Sequence, residues 1–203
     1  MPYLGTQPNN VKQNTGLYTP SEILELTKDG SWGGSLELIE EQTVSGSPTT
    51  IEFTSIKENV YDVMFLSIEN MVHSGSTANV GLRFYESGVL ETASVYRYAQ
   101  QRGTTGGTFS DADKSTGAGY MLITPYSMNG GAGSYNIYCY LNNLGNSSKY
   151  SSINYHSFVQ ATQTAFGFGG GTLPQASTVD GIQIYTFGRT LTSGTMKLFG
   201  IKQ

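Results

Sequence analysis

The sequence predicts an all-β protein, a jelly-roll-like antiparallel β-sandwich preceded by an extended N-terminal arm and one short helix. Three observations lead there. From Ser35 onward, apolar and polar residues alternate in short runs separated by Gly, Ser, Asn and Pro, which is the period and punctuation of strands. One stretch alone carries a clear helix-start signal. The composition is that of strands and turns, with 26 Gly, 14 Tyr and 13% charged residues, against about 25% charged in an average soluble domain. The chain has 203 residues, the size of one large β domain. At that length it buries roughly two-thirds of its unfolded surface and needs no disulfide or metal to hold a core.

Residues 1 to 18 are polar, carry two prolines and show no sustained periodicity, so they read as an extended arm. The helix follows. Thr19 is its N-cap, Pro20 takes the first helical position and Glu22 closes a capping box. Ile23, Leu24 and Leu26 supply its apolar residues, and Gly30 ends it. A helix of about ten residues is unstable alone, so it must pack on something. The domain division expected is therefore 1–34, an arm and helix that act as an anchor, and 35–203, the sandwich. Tyr3 and Leu4 of the arm, with Ile23, Leu24 and Leu26, are the anchoring residues.

The predicted strands are 35–42, 49–56, 61–69, 78–86, 92–100, 120–124, 134–142, 149–162, 165–168, 179–187 and 195–201. In 78–86, Val80, Leu82 and Phe84 alternate cleanly with Asn79, Gly81 and Arg83. The run YDVMFLSIE at 61–69 is apolar on both faces, as expected of a strand covered on two sides. Thr92–Gln100 reads as the hairpin partner of 78–86 across Ser87-Gly88. Residues 101–119 contain almost no apolar side chains and read as a long insert, functional or disordered. Gly169–Gly171 reads as a flexible bend, and Thr192-Ser193-Gly194 as the turn joining the last two strands. Two packed sheets with Greek-key connections accommodate such a series.

Composition narrows the function classes. The net charge is −4 and the eleven Lys and Arg are scattered, which gives no footprint for nucleic acid. No apolar run approaches 18 residues, so no membrane insertion is expected. The first residues have neither a basic nor an apolar signal region, and one cysteine excludes an internal disulfide framework; synthesis in a reducing cytoplasm fits. No catalytic, cofactor or metal site is assigned, and the chain is expected not to be an enzyme. His73 and His156 lack a supporting nucleophile motif. Cys139 alternates with Ile137 and Leu141 and reads as a core thiol. Glu37, Glu40, Glu41, Asp62 and Glu69 read as solvated strand faces rather than paired glycosidase carboxylates. Asp111 and Asp113 could ligate calcium through their oxygens, but two carboxylates without the rest of a loop motif assign no site, and the glycine run lacks the Lys-Ser/Thr of a phosphate loop. Tyr85, Tyr96, Tyr98, Tyr138, Tyr140 and Tyr155 are the interface candidates. Tyrosine joins an apolar body to a polar tip, which suits protein contacts and stacking on sugars. Sibling subunits of a homotrimer are the favoured partner for that face.

Both ends of the chain resemble a known group. MPYLGTQP at the start is similar to the opening of structural proteins of tailed bacteriophages, notably tail-fibre-like proteins of marine and cyanobacterial phages. GIQIYTFGRTLTSGTMKLFGI at 181–201 resembles the closing strands of phage virion β-sandwich proteins. SLELIEEQTVSG, YDVMFLSIENM and VGLRFYESG resemble the same group in the middle. The resemblance implies a virion location, other tail or capsid proteins as partners, and a host-surface glycan or protein met through loops such as 101–119. Two alternatives stand beside a tail-fibre component: a capsid decoration or head-fibre protein, and an enzyme that degrades surface polysaccharide.

Overall fold

The computed structural model describes residues 19–28, 36–125, 127, 130, 131, 133–160 and 164–201. The chain divides into two compact units, 1–36 and 37–203. In the first, α1 spans Pro20–Lys28. Its start is the reciprocal cap that the sequence dictates. Thr19 Oγ1 accepts from the Glu22 N–H at 3.3 Å, and the Glu22 carboxylate accepts from the Thr19 N–H at 2.7 Å. Ile23 is half-buried and Leu24 exposed. Tyr3, Leu4, the Leu26 side chain and the expected Gly30 helix end lie outside the described residues.

The described residues are mostly strand, with one short helix, and the strands form two antiparallel sheets packed as a sandwich. The strands are β1 (Leu36–Thr43), β2 (Thr50–Phe53), β3 (Val63–His73), β4 (Gly81–Glu86), β5 (Val89–Leu90), β6 (Tyr96–Thr104), β7 (Phe109–Ala118), β8 (Met121–Leu122), β9 (Ser134–Asn142), β10 (Tyr150–Gln160), β11 (Ala165–Ala176), β12 (Val179–Tyr185) and β13 (Leu191–Ile201). The large sheet has the order β1-β13-β3-β9-β10-β11-β6-β7, and the small one β2-β12-β4-β5 with β8 beside β4. The chain crosses repeatedly between the sheets, as from β2 to β3 and from β3 to β4. Alternation places Met64, Leu66 and Ile68 of β3 with Ile137, Cys139 and Leu141 of β9 on the inner face of the large sheet. Phe53, Leu82, Phe84, Ile182 and Ile184 of the small sheet belong to the same buried cluster. Each such side chain contributes about 1.5–3 kcal/mol by leaving water.

Four expectations are corrected. Residues 101–119 are the end of β6, a tight turn and the edge strand β7, paired from Tyr96↔Ala118 to Gly103↔Phe109. Backbone hydrogen bonds hold an edge strand whatever its side chains, so a polar sequence hid it. Thr92–Gln100 does not pair with β4. Ser87 and Gly88, with φ of 52° and 75°, make a two-residue turn that twists with the strands, and the short β5 alone closes the hairpin. The chain then leaves for the large sheet as β6. Gly169–Gly171 lies inside β11, not in a bend. A Cβ on Gly169 would come within 2.6 Å of the Ala99 carbonyl oxygen, and one on Gly171 within 2.8 Å of Met121 Sδ. Gly169 permits close approach of the neighbouring strands β6 and β10, and Gly171 that of Met121 on β8 of the other sheet. Finally, Thr192–Gly194 sits within the bulged start of β13, and the chain turns earlier, at Phe187 and Gly188, where φ is 51° and 81°.

Candidate contact surface

The outward face of the large sheet is built by register. In one row the residues abreast are Lys197, Ser67, Tyr138, His156, Phe168, Gln101 and Asp111, from β13 to β7. Two residues along, or three in β7 where a bulge intervenes, the row reads Phe199, Phe65, Tyr140, Asn154, Gly170, Ala99 and Lys114. On the other side lie Asn136, Phe158, Phe166, Gly103 and Phe109. Because side chains alternate across a pleat, everything in these rows points away from the core.

The face is aromatic and open. Tyr138, Tyr140, Phe158, Phe166 and Phe168 are 43–48% exposed and Phe109 is 76% exposed. The rings contact one another across strands. Phe65 meets Tyr140 at 5.3 Å and Phe199 at 6.1 Å between centroids. Tyr138 stacks on His156 at 5.1 Å, and its hydroxyl is hydrogen-bonded to His156 Nδ1 at 2.9 Å. Phe166 meets Phe109 edge-on at 5.8 Å, and both rings close over Gly103, where a Cβ would lie 2.4 Å from Phe166. Such cross-strand pairs order the side chains. They leave the upper surfaces of the rings in water.

Three depressions adjoin on this face, and Phe168 borders all of them. One of about 440 Å³ lies over β3, β9, β10 and β11. Two more, of about 290 and 470 Å³, lie over β11, β6 and β7. Polar groups sit around the aromatic centre. Glu69 pairs with Lys197 at 3.6 Å and accepts from Ser67 at 3.0 Å. Asn136 Oδ1 accepts from the Asn70 N–H at 2.9 Å.

The six tyrosines singled out from the sequence separate into distinct environments. Tyr138 and Tyr140 lie on this face. Tyr96 and Tyr155 are 0% and 1% exposed and belong to the core, so neither is available to an interface. The Tyr96 hydroxyl accepts from the Phe84 N–H at 2.9 Å, and the Tyr155 hydroxyl donates to Gln100 Oε1 at 2.7 Å. Burial raises the pKa of both. Tyr98 is half-buried against the core and stacks on Tyr120 at 6.1 Å; burial first, then the charge of Tyr120, pushes it up to about 12. Tyr85 is on the small sheet. Those buried tyrosines kept the strand period but carry hydroxyls that the core satisfies, and sequence does not show which hydroxyls find partners.

The phenylalanines were the missed signal. In AFGF at 165–168, Phe166 and Phe168 alternate with a glycine, so both rings must share one face, and His156 and Phe158 do the same in β10. Elsewhere, His73 is buried and stacked on Tyr135, with Nδ1 3.0 Å from the Ser74 carbonyl oxygen. Cys139 is buried, and burial raises its thiol pKa. Among the described residues, no group of three or more His, Cys, Asp or Glu is placed to hold a metal ion.

No family model and no curated protein matches the chain. Among solved structures, it is similar to the E230A fructofuranosidase of Schwanniomyces occidentalis complexed with fructosylnystose, at 8% identity and a TM-score of 0.23. The likeness covers 83% of this chain and 35% of that one, so the chain spans about a third of that enzyme. It is also similar to the CBM2 module of the evolved Dit of Lactobacillus casei BL23 phage J-1, at 5% identity and a TM-score of 0.23, covering 76% of this chain and 70% of that one. A third likeness is to the infectious bursal disease virus Gx strain, at 9% identity and a TM-score of 0.14, covering 80% and 40%. Likenesses this distant carry no argument about function.

Proposed function

We propose that the chain is a structural component of a tailed-phage virion, of the tail-fibre or appendage kind, which joins the particle through its N-terminal segment and works by contact. The observation that carries the reading is the cluster of six rings, each 43–76% exposed, on one sheet face. A contiguous apolar surface of that kind marks a face that is covered in the working assembly. Tyr138, His156 and Phe168 stand in its centre, with charged residues at the margins, the arrangement of a protein interface with a polar rim. The capped helix and the segment before it serve as the tether, and the resemblance of both chain ends to phage virion proteins supplies the setting. Host-surface contact falls to the β6–β7 turn, whose residues 105–108 are all exposed.

The test is made in the parent phage. Replacing Phe158 and Phe168 together by Ser removes half-exposed rings and leaves the core untouched, so the domain folds. Particles should then lose the protein, and deletion of residues 1–30 should do the same. Normal incorporation of both variants sinks the reading. Antibody against the sandwich should label tails; labelled capsids with bare tails would move the protein to a head-fibre or decoration role.

A further inference from the structure

We infer that the aromatic face of the large sheet is a two-fold interface, covered by the same face of a second copy of this chain. The inference rests on the contact reading above and commits it to one occupant.

The pattern of the rows carries it. Over the seven strands from β13 to β7, β10 contributes the fourth residue of the central row, His156, with Lys197 on β13 three strands to one side and Asp111 on the edge strand β7 three strands to the other; β1 lies beyond β13 and outside the pairing. Turn a second copy about an axis along β10, lying between two facing sheets. β13 then meets β7, β3 meets β6, and β9 meets β11. Lys197 of each copy comes over Asp111 of the other, so the symmetry makes the attraction twice. Tyr138 comes over Phe168, and His156 over its own copy. A self-complementary patch is what an isologous dimer requires.

The next row is complementary in size. Its β13, β3 and β9 half carries the large rings Phe199, Phe65 and Tyr140. Its β11 and β6 positions carry Gly170 and Ala99, then Lys114 at the edge. The same rotation sets Tyr140 over Gly170 and Phe65 over Ala99. The depression of about 290 Å³ beside Ala99 and Gly169 is the space that those rings enter. Phe199 comes over Lys114, a cation against a ring face. Large against small is the arrangement that lets facing layers interdigitate at native density.

Two further features agree. On the outward side of β3, Val63 and Phe65 are apolar and left uncovered within one chain, while Ser67 and Glu69 are polar. The area also suffices. Seven strands about 4.8 Å apart and three outward rows about 6.8 Å apart make roughly 600 Å² per copy. A pair then buries about 1,200 Å² in total, where specific stable interfaces begin. The three-fold arrangement expected from the sequence makes no use of this end-to-end pairing within a row.

The experiment is sedimentation equilibrium of the full chain over a range of concentrations. The native protein should sediment at twice its 21.9 kDa chain mass. Ala99 is exposed, so Ala99→Tyr keeps the fold, which an unchanged melting temperature verifies, and blocks entry of Phe65. It should weaken association at least tenfold. Lys197→Asp and Asp111→Lys should each weaken it about tenfold, since each creates two like-charge contacts. The double variant should recover to within about threefold of native. A native chain that stays monomeric, a mass of three chains, or a double variant no tighter than the singles overturns the inference. A monomeric native chain whose Phe158/Phe168 variant is still lost from particles would discard the two-fold pairing and keep the contact reading.

Discussion

Replacing Tyr155 by Phe removes one oxygen atom from the centre of the sandwich, and the structure sets what that removal does. The ring is 1% exposed and its hydroxyl donates to Gln100 Oε1 at 2.7 Å. Gln100 is itself 5% exposed and donates from Nε2 to the Thr124 carbonyl oxygen at 3.1 Å. The phenylalanine ring fills the same space, so no cavity opens and the transfer of the ring from water is retained. What is lost is one hydrogen bond, together with the desolvation of a Gln100 oxygen deprived of its donor. Such a group costs about 1–2 kcal/mol. For a domain of this size, that lowers the melting temperature by roughly 2–8 °C. Gln100→Leu should cost a similar amount, because it strips both Tyr155 and Thr124 of a partner. The double variant should be less destabilised than the sum of the singles by about 1 kcal/mol, the coupling of groups in contact. Thermal and urea unfolding followed by circular dichroism measure all three. If the two effects simply add, Tyr155 and Gln100 do not act as a pair, and the reasoning fails.

Three other outcomes are expected. Ser87→Asn should raise stability by a few tenths of a kcal/mol and Gly88→Ala should lower it by about 1 kcal/mol, since both positions have positive φ and nothing crowds Gly88; urea midpoints decide it, and equal effects of the two would refute the turn assignment. Stability should fall above about pH 10, because Tyr61 and Tyr98 are each raised from 10.0 to about 12, chiefly by burial. The folded state holds those protons more tightly than the unfolded one, so the stabilisation is whole below the unfolded pKa and lost as pH climbs through the folded values; a pH series of urea midpoints that rises between pH 10 and 12 would contradict this. Cys139, buried with a raised thiol pKa, should react with a thiol reagent only after unfolding, which a spectrophotometric thiol assay in native buffer and in urea compares directly.

The fold was legible wherever a single physical requirement governed a run of residues. Val80, Leu82 and Phe84 alternate because one face of β4 is core, and Thr19, Pro20 and Glu22 announce a helix start because its first N–H groups need partners. Legibility stopped where two requirements gave the same letters. A glycine run means a bend when φ is positive and close packing of neighbours when it is not, and Gly169 and Gly171 are of the second kind. A polar run means an insert or an edge strand, and β7 is the edge strand, held by backbone pairing that leaves no mark on side-chain type. Tyrosine at strand spacing means core or surface: Tyr155 faces inward, where Gln100 satisfies its hydroxyl, and Tyr138 faces outward, where His156 does.

The aromatic face was the least legible part, for a reason that lies in its construction. Its residues come from β13, β3, β9, β10, β11, β6 and β7, which the chain visits in another order. No window of sequence contains the row from Lys197 to Asp111, because the row exists only after seven strands have found their register. Within any one strand the outward aromatics look like ordinary packing: Phe65 in β3, Tyr138 and Tyr140 in β9, Phe166 and Phe168 in β11. Once abreast, their sum is an apolar surface, and in the row from Phe199 to Lys114 the large and small members fall in opposite halves. A sheet face that merely tolerated water would carry threonines and charges, as the outward residues of β7 largely do. The rings run across five consecutive strands, from Phe199 on β13 to Phe166 and Phe168 on β11, and that continuity is the observation on which the proposed contact role rests.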